Sequence, residues 1–286
     1  MKIQEPLNKY TTLGLGGPAD CLLNIGDISG LKRVLEFVKK QKLPLTLLGG
    51  GSNVLIKDGG IRGLVVRLKE DFAGIKIKGT KVICGGGAIL SGAVIASAAK
   101  GLSGLEFAAG IPGTAGGAVI MNAGANGCEL KDVVRQVKVM DANGKIIKLA
   151  PAKCGFVYRS SKLKSGRNIV IEVTFGLKKS TLTGVKAKIR EYLTKRQAQQ
   201  PCSLGTAGCI FKNPKGFSAG QLIDSCGLKG KKYGKTEVSK KHANYLLNRG
   251  SSSRDFLKLM ETVKKTVLEK KGVKLEEEII ILGEDR

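Results

Sequence analysis

The sequence predicts an α+β protein with more than one core, on three observations. Leu31, Val34, Leu35 and Val38 recur at helical spacing. Strand-like segments at 75–77 and 82–84 bracket the turn residues Lys78, Gly79 and Thr80. At 286 residues the chain is longer than an average single domain, so two or three cores are expected.

Taken in order, the apolar helix around 31–38 is followed by Pro44, and a short strand at 45–48 runs directly into Gly49. Segments 54–56 and 64–68 also read as strands, so residues 1–70 form a first α/β domain. The hairpin at 75–84 opens a second, mostly β domain spanning 71–180. A helix of small residues at 88–99 follows, closed by Lys100 and Gly101. Segments 133–139 and 145–149 flank a turn at 141–144, and 169–175 is a further strand. A charged helix near 185–200, with Val185, Ile189 and Leu193 on one side, connects to a third domain at 181–286. There, Ser252 or Ser253 caps a helix whose apolar face is Phe256, Leu259, Met260, Val263 and Val267, stopped by Lys270, Lys271 and Gly272. Residues 273–282 read as one strand that sets Glu276 and Glu278 opposite Leu275, Ile279 and Ile281.

Hydrophobic residues make up 42% of the chain, enough to fill such cores and too many for disorder. Neither a leader peptide nor a membrane-spanning apolar run is apparent, so a soluble cytoplasmic protein is expected. Seven cysteines without CxxC spacing and a single histidine argue for free thiols in a reducing compartment and against a metal site. The net charge of +26 raises nucleic-acid binding as a rival function. Lysines such as Lys39, Lys40, Lys42, Lys76, Lys78, Lys81 and Lys100 fall at helix ends and turns, without interleaved aromatic residues to stack bases. No specific nucleic-acid partner is therefore expected. A lysine-rich source proteome and an anionic substrate explain the charge equally well.

The most informative stretch runs from Gly110 to Gly124, with five glycines and one proline in fifteen residues. Such a run is expected neither to pack a core nor to hold a regular helix, because glycine loses the most backbone freedom on ordering. A ligand lying against bare amides supplies the missing order. A second run of the same character, Gly49-Gly50-Gly51-Ser52-Asn53, lies about 60 residues upstream. No Walker loop is present, and Gly14, Gly16 and Gly17 do not open a helix after a strand, which disfavours a Rossmann fold. Two phosphate-grade loops suit an extended dinucleotide.

These residues resemble a known family. Gly49 to Asn53 are followed by Gly104, Glu106, Gly110-Ile111-Pro112-Gly113-Thr114, Gly116-Gly117-Ala118 and Met121-Asn122-Ala123-Gly124, in the pattern of the UDP-N-acetylenolpyruvoylglucosamine reductase family. The likeness continues through Thr11, Thr12, Gly14, Gly16 and Gly17, through Tyr158 and Arg159, and through Gly208-Cys209-Ile210-Phe211-Lys212-Asn213-Pro214. It extends to Ala219, Gly220, Leu222, Ile223 and Gly227-Leu228-Lys229-Gly230, and ends on Leu275-Glu276-Glu277-Glu278. The resemblance implies a two-domain FAD-binding module of the vanillyl-alcohol-oxidase type plus a third, α+β, substrate-binding domain. It implies FAD as cofactor, NADPH as co-substrate and a UDP-sugar enolpyruvyl ether as substrate, in peptidoglycan precursor synthesis. By its length after Arg159 the chain is similar to the shorter type, which lacks an inserted tyrosine-bearing segment. The expected state is a monomer or weak oligomer.

Carried over residue by residue, the resemblance assigns FAD binding to Gly49, Gly50, Gly51, Ser52, Asn53, Gly110, Ile111, Pro112, Gly113, Thr114, Gly116, Gly117, Asn122 and Gly124. Tyr158, Lys212 and Asn213 are assigned to substrate, and Arg159, Cys209 and Glu278 to catalysis. The chemistry suits these types. Hydride arriving at C3 of an enolpyruvyl group drives negative charge onto C2 and its carboxylate, which needs a cation, hydrogen-bond donors and an acid. Arg159 supplies the planar cation. Glu278 fits as a donor when protonated. Cys209 stands where many family members carry serine, and a thiol, ordinarily titrating at about 8.5, is the stronger acid. Asn126 replaces a frequent tyrosine and puts the shape of that pocket wall in question. His242 is expected to be a structural or pocket-wall residue rather than a base. Two rivals remain: another flavin oxidase of the same superfamily, in which Arg159, Cys209 and Glu278 have no purpose, and a colourless nucleic-acid-binding protein.

Overall fold

The computed structural model describes residues 1–165, 168–201, 205–250 and 252–285. Cys202 lies outside the described residues. The chain forms two compact units, one made of Met1–Leu22, Gly51–Val65 and Gln197–Arg286, the other of Leu23–Gly50 and Val66–Arg196.

The unit containing Val66–Arg196 is built on a five-stranded antiparallel sheet in the order Ile146–Leu149, Val134–Asp141, Asn168–Gly176, Lys81–Gly85, Ile75–Lys78. Val137 and Val139 on one strand and Val173 and Phe175 on the next, at alternate positions, are among its fully buried members. They share a core with Leu90 and Ala93 of the helix Leu90–Ala99 and with Val119. The helix Ile28–Gln41 is capped by Asp27, whose carboxylate accepts from the Gly30 N–H at 2.6 Å. Its predicted apolar face is present in Leu31 and Leu35, both buried, and Lys42 ends it at φ 52. The expected hairpin turns and helix of small residues are all in place, and strand Ile61–Leu68 starts three residues earlier than its apolar run.

The glycine-rich run departs from expectation. Ala115–Ile120 is a helix, capped by the Thr114 hydroxyl, and Gly116 within it is buried. The physical reason is contact rather than freedom. A Cβ on Gly116 would sit 2.7 Å from the carbonyl oxygen of Gly86, so only glycine lets this helix reach the Gly86 backbone and donate from its own amide at 2.9 Å.

The other unit has a separate core, with Leu13, Leu55, Ile210, Phe211, Phe256, Met260, Leu275 and Ile279 as members. Its helix Ser253–Lys271 is capped by Ser252 and stopped by Gly272 at φ 65, and all five predicted apolar positions are buried. The predicted strand at 273–282 is corrected. Only Ile280–Leu282 is a strand, pairing in parallel with Val54–Ile56. Upstream, Glu277 forms an isolated antiparallel bridge with Phe211, flanked by Lys212 N–H donating to the Glu276 carbonyl and Glu278 N–H to that of Ile210. The segment changes partner and direction near Ile279, so one alternation cannot run through it. Leu275 and Ile279 are buried as expected, whereas Ile281 is 38% exposed.

Candidate functional site

Within the unit containing Val66–Arg196, three glycine segments converge on one narrow cleft. It is lined by Gly49 and Gly50, by Gly86 and Gly87, and by Thr114, Gly116 and Gly117, with Arg67 and Lys69 contributing cations. Close packing dictates the glycines. A Cβ on Gly50 would fall 2.6 Å from the Gly113 Cα, one on Gly49 would fall 2.8 Å from the Thr114 hydroxyl, and one on Gly86 would collide with the carbonyl oxygen of Val170. Leu90 N–H donates to the Gly113 carbonyl at 3.0 Å and Ala115 N–H to that of Ala88 at 2.8 Å, which fixes the loop. Among the described residues, the N–H groups of Gly49, Gly50, Gly113 and Thr114 donate no hydrogen bond. Backbone donors left unspent beside two cations suit a ligand bearing anionic oxygens. Gly110 and Ile111 lead into this loop, Gly110 at φ 82 against Arg196 and Ile111 donating to the Ala108 carbonyl. The run Gly85-Gly86-Gly87 was not singled out in the sequence, although three glycines directly after a strand are the same signal as those at 49–51.

A second cluster in this unit surrounds Arg159. Tyr158 and Arg159 form the tip of a tight turn closed by Val157 and Ser160, with Arg159 at φ 54. The Arg159 guanidinium donates to the Gly124 carbonyl at 2.9 Å and lies 5.0 Å from the Tyr158 ring centre. Asn122, wholly buried, places its side chain between this turn and Glu129. Asn126 has a local explanation. With Gly127 it forms a two-residue hairpin turn between Ala125 and Cys128, both residues at positive φ, 53 and 80, which is the type I′ geometry that Asn-Gly favours.

In the other unit, Cys209 is half-buried just ahead of a backbone held at every polar atom. Ile210 N–H donates to the Asn244 carbonyl, Phe211 N–H donates to Asn244 Oδ1 at 2.9 Å, and Asn244 Nδ2 donates back to the Phe211 carbonyl at 2.8 Å. Glu278 N–H reaches the Ile210 carbonyl at 2.8 Å, so Cys209 and Glu278 are next to bonded neighbours on adjacent segments. Asn53 Nδ2 donates to the Glu278 carbonyl at 3.1 Å, and Gly51, at φ 64, accepts from Thr12. Ser52 stands between them. Lys212 pairs with the exposed Glu276 at 3.3 Å, while the Asn213 side-chain oxygen accepts from Ala219 N–H at 2.9 Å. Burial, aided by the charge of Lys229, holds the His242 imidazole below its ordinary value, so its neutral Nδ1 accepts from Asn244 N–H at 3.3 Å. Burial pushes the Cys84 thiol up to about 12 and also raises Cys154, as expected of inert core thiols. No group of three or more His, Cys, Asp or Glu among the described residues is placed to hold a metal, and no helix among them is long and apolar enough to cross a membrane.

Glu277 is committed elsewhere. Burial favours its neutral form, but the hydrogen bond and charge of Lys264 outweigh that and hold the carboxyl below the usual range. The lowered folded value means that the pair's stabilisation is present above the ordinary carboxylate pKa and is lost as pH falls through the folded one. Lys264→Met should lower the urea midpoint near neutral pH, and its difference from the unaltered protein should shrink as the pH falls below the ordinary carboxylate range. An equal difference at both pH values would contradict this.

The sequence profile described as FAD binding domain matches residues 19–150, and that described as UDP-N-acetylenolpyruvoylglucosamine reductase, C-terminal domain, matches residues 200–282. UDP-N-acetylenolpyruvoylglucosamine reductase 2 of Symbiobacterium thermophilum is 42% identical over 98% of this chain and 91% of its own length. The reductase of Clostridioides difficile is 41% identical over 100% and 94%. The crystal structure of the Thermus caldophilus enzyme aligns with a TM-score of 0.85 at 38% identity, covering 96% of this chain and 97% of that one. With this match over both chains' full length, the chain belongs to the UDP-N-acetylenolpyruvoylglucosamine reductase family.

Proposed function

We propose that this protein is an NADPH-dependent FAD reductase that converts UDP-N-acetylenolpyruvoylglucosamine to UDP-N-acetylmuramate in the cytoplasm, as a step of peptidoglycan precursor synthesis. The observation that carries the reading is the cleft lined by Gly49, Gly50 and Thr114, whose backbone N–H groups donate no hydrogen bond among the described residues, with Arg67 and Lys69 beside it. That donor set fits the pyrophosphate of FAD, and the glycines leave the backbone bare for it. Gly51, Ser52, Asn53, Gly110, Ile111, Pro112, Gly116, Gly117 and Gly124 complete the assignment to the cofactor. In functional terms residues 1–70 and 71–180 hold FAD, and 181–286 hold the substrate.

FAD held by these glycine segments would supply two-electron chemistry, by which hydride from NADPH would reach C3 of the enolpyruvyl group by way of flavin N5. Arg159 holds the substrate carboxylate through a planar pair of N–H donors, and its positive charge offsets the charge that develops there. Glu278, protonated, donates a hydrogen bond to the same enolate. Cys209 gives its proton to C2, and the thiolate recovers a proton from solvent before the next turnover. Tyr158, Lys212 and Asn213 bind the substrate. Glu277 has no part in this chemistry.

The test is to incubate the purified protein with NADPH and the enolpyruvyl sugar nucleotide without oxygen and to weigh the product. One product two hydrogens heavier than the substrate, formed in step with NADPH consumed, is expected. NADPH consumption that needs oxygen and leaves the sugar nucleotide unchanged would assign the chain to the oxidase reading instead.

A further inference from the structure

We propose that Asn122 is a positioning residue for Arg159, clamping the turn that presents the guanidinium, and that its side chain is not a cofactor ligand. The inference rests on the assignment of Arg159 to the substrate carboxylate.

Three hydrogen bonds spend both donors and one acceptor site of this side chain inside its own unit. Nδ2 donates to the Val157 carbonyl and to Glu129 Oε2, each at 3.0 Å, and Oδ1 accepts from Lys131 N–H at 3.0 Å. Both amide protons are then used, and nothing is left to donate to a ligand. Asn122 is 0% exposed and sits at φ 43, a left-handed conformation that asparagine tolerates better than most residues. A buried amide with both donors spent, in a strained backbone, implies that the surrounding fold needs those bonds.

What the bonds connect is the cage of Arg159. Val157, whose carbonyl Asn122 holds, closes the two-residue tip carrying Tyr158 and Arg159. Glu129, held by the other amide proton, is the strand partner of Gly124, and the Gly124 carbonyl accepts from the guanidinium at 2.9 Å. One side chain therefore fixes both the backbone from which Arg159 projects and the strand against which its head rests. A second tether acts on the same turn: Ser161, also buried, donates to the Ile120 carbonyl at 2.7 Å. The segment from Thr114 to Asn122 thus joins the amide cradle to the arginine turn within one unit.

Asn122→Gly suits the backbone angle and removes only the side-chain bonds. Its flavin content and its rate of flavin reduction by NADPH should stay within about twofold of the unaltered protein, while reoxidation by the enolpyruvyl sugar nucleotide falls about tenfold to a hundredfold, the scale of a small misplacement of a catalytic group. In an Arg159→Ala background the same change should add little, because its effect runs through that residue. Loss of flavin, or equal loss in both half-reactions, would overturn the proposal, as would undiminished reoxidation. Should Asn122→Gly not fold, Ser161→Ala gives a milder form of the same readout, and unchanged reoxidation there overturns it. If Arg159→Ala itself leaves reoxidation intact, the assignment of Arg159 fails and this inference with it. If Arg159→Ala collapses reoxidation and Asn122→Gly does not, only the inference fails.

Discussion

Cys209→Ala is expected to leave bleaching of the flavin by NADPH intact and to slow its reoxidation by the enolpyruvyl sugar nucleotide by about 10²–10⁴-fold, the usual contribution of a positioned general acid. The expectation follows from the assignment of Cys209 as the proton source for C2 and from how its backbone is held. Gly208 before it takes φ 80 in open space, and Ile210 and Phe211 after it are pinned by the backbone and side chain of buried Asn244. Removing one sulfur atom changes the acid and leaves the hydrogen bonds of Ile210 and Phe211 to Asn244 in place. Cys209→Ser should recover part of the loss, since a hydroxyl occupies nearly the same place. Stopped-flow absorbance separates the two half-reactions. Survival of both in Cys209→Ala would remove the thiol from the chemistry, and failure of both would make it a structural or cofactor-binding residue.

Gly86→Ala should have the larger effect on the folded state. The added methyl would collide with the Val170 carbonyl oxygen, and both the Gly86 N–H, bonded to Ile171 at 2.8 Å, and its carbonyl, bonded to Gly116, hold the backbone against retreat. Overpacking against main chain costs about 1–3 kcal/mol and occasionally more, and the shift would reach the helix Ala115–Ile120 that shapes the cleft. The variant should purify with little flavin and melt well below the parent. Gly79→Ala is the control. Gly79 also lies in this unit and has φ 59, but nothing stands within 4 Å of an added Cβ. It should cost about 1–2 kcal/mol for the left-handed backbone alone and keep its flavin. Equal flavin retention in the two variants would show that close approach at Gly86 does not shape the cofactor site.

Much of this was legible in the chain because local rules and tertiary packing agree there. The helices Ile28–Gln41 and Ser253–Lys271 carry their caps, apolar faces and stops in the sequence, and the hairpins carry their turn residues. The failures share a cause. Residues 273–282 look like one strand because alternation says nothing about which partner a strand has, and this segment changes from Phe211 to Val54–Ile56. Gly116 looks too flexible for a helix until the Gly86 backbone that it approaches is known. Asn126 shows its local role only in the structure, as a turn residue at positive φ. Of the candidate site, the residue types and the two glycine runs were readable. The third run at 85–87 and the buried amides of Asn122 and Asn244 were not, because their roles lie in contacts distant in sequence.

The most direct measurement is the visible absorbance of the purified protein, kept free of oxygen, through one cycle. The protein should be yellow, lose its flavin bands on one equivalent of NADPH, and regain them on one equivalent of the enolpyruvyl sugar nucleotide. A protein that is colourless and does not take up added FAD, or one whose reduced flavin is reoxidised by air but not by that substrate, would contradict the assignment.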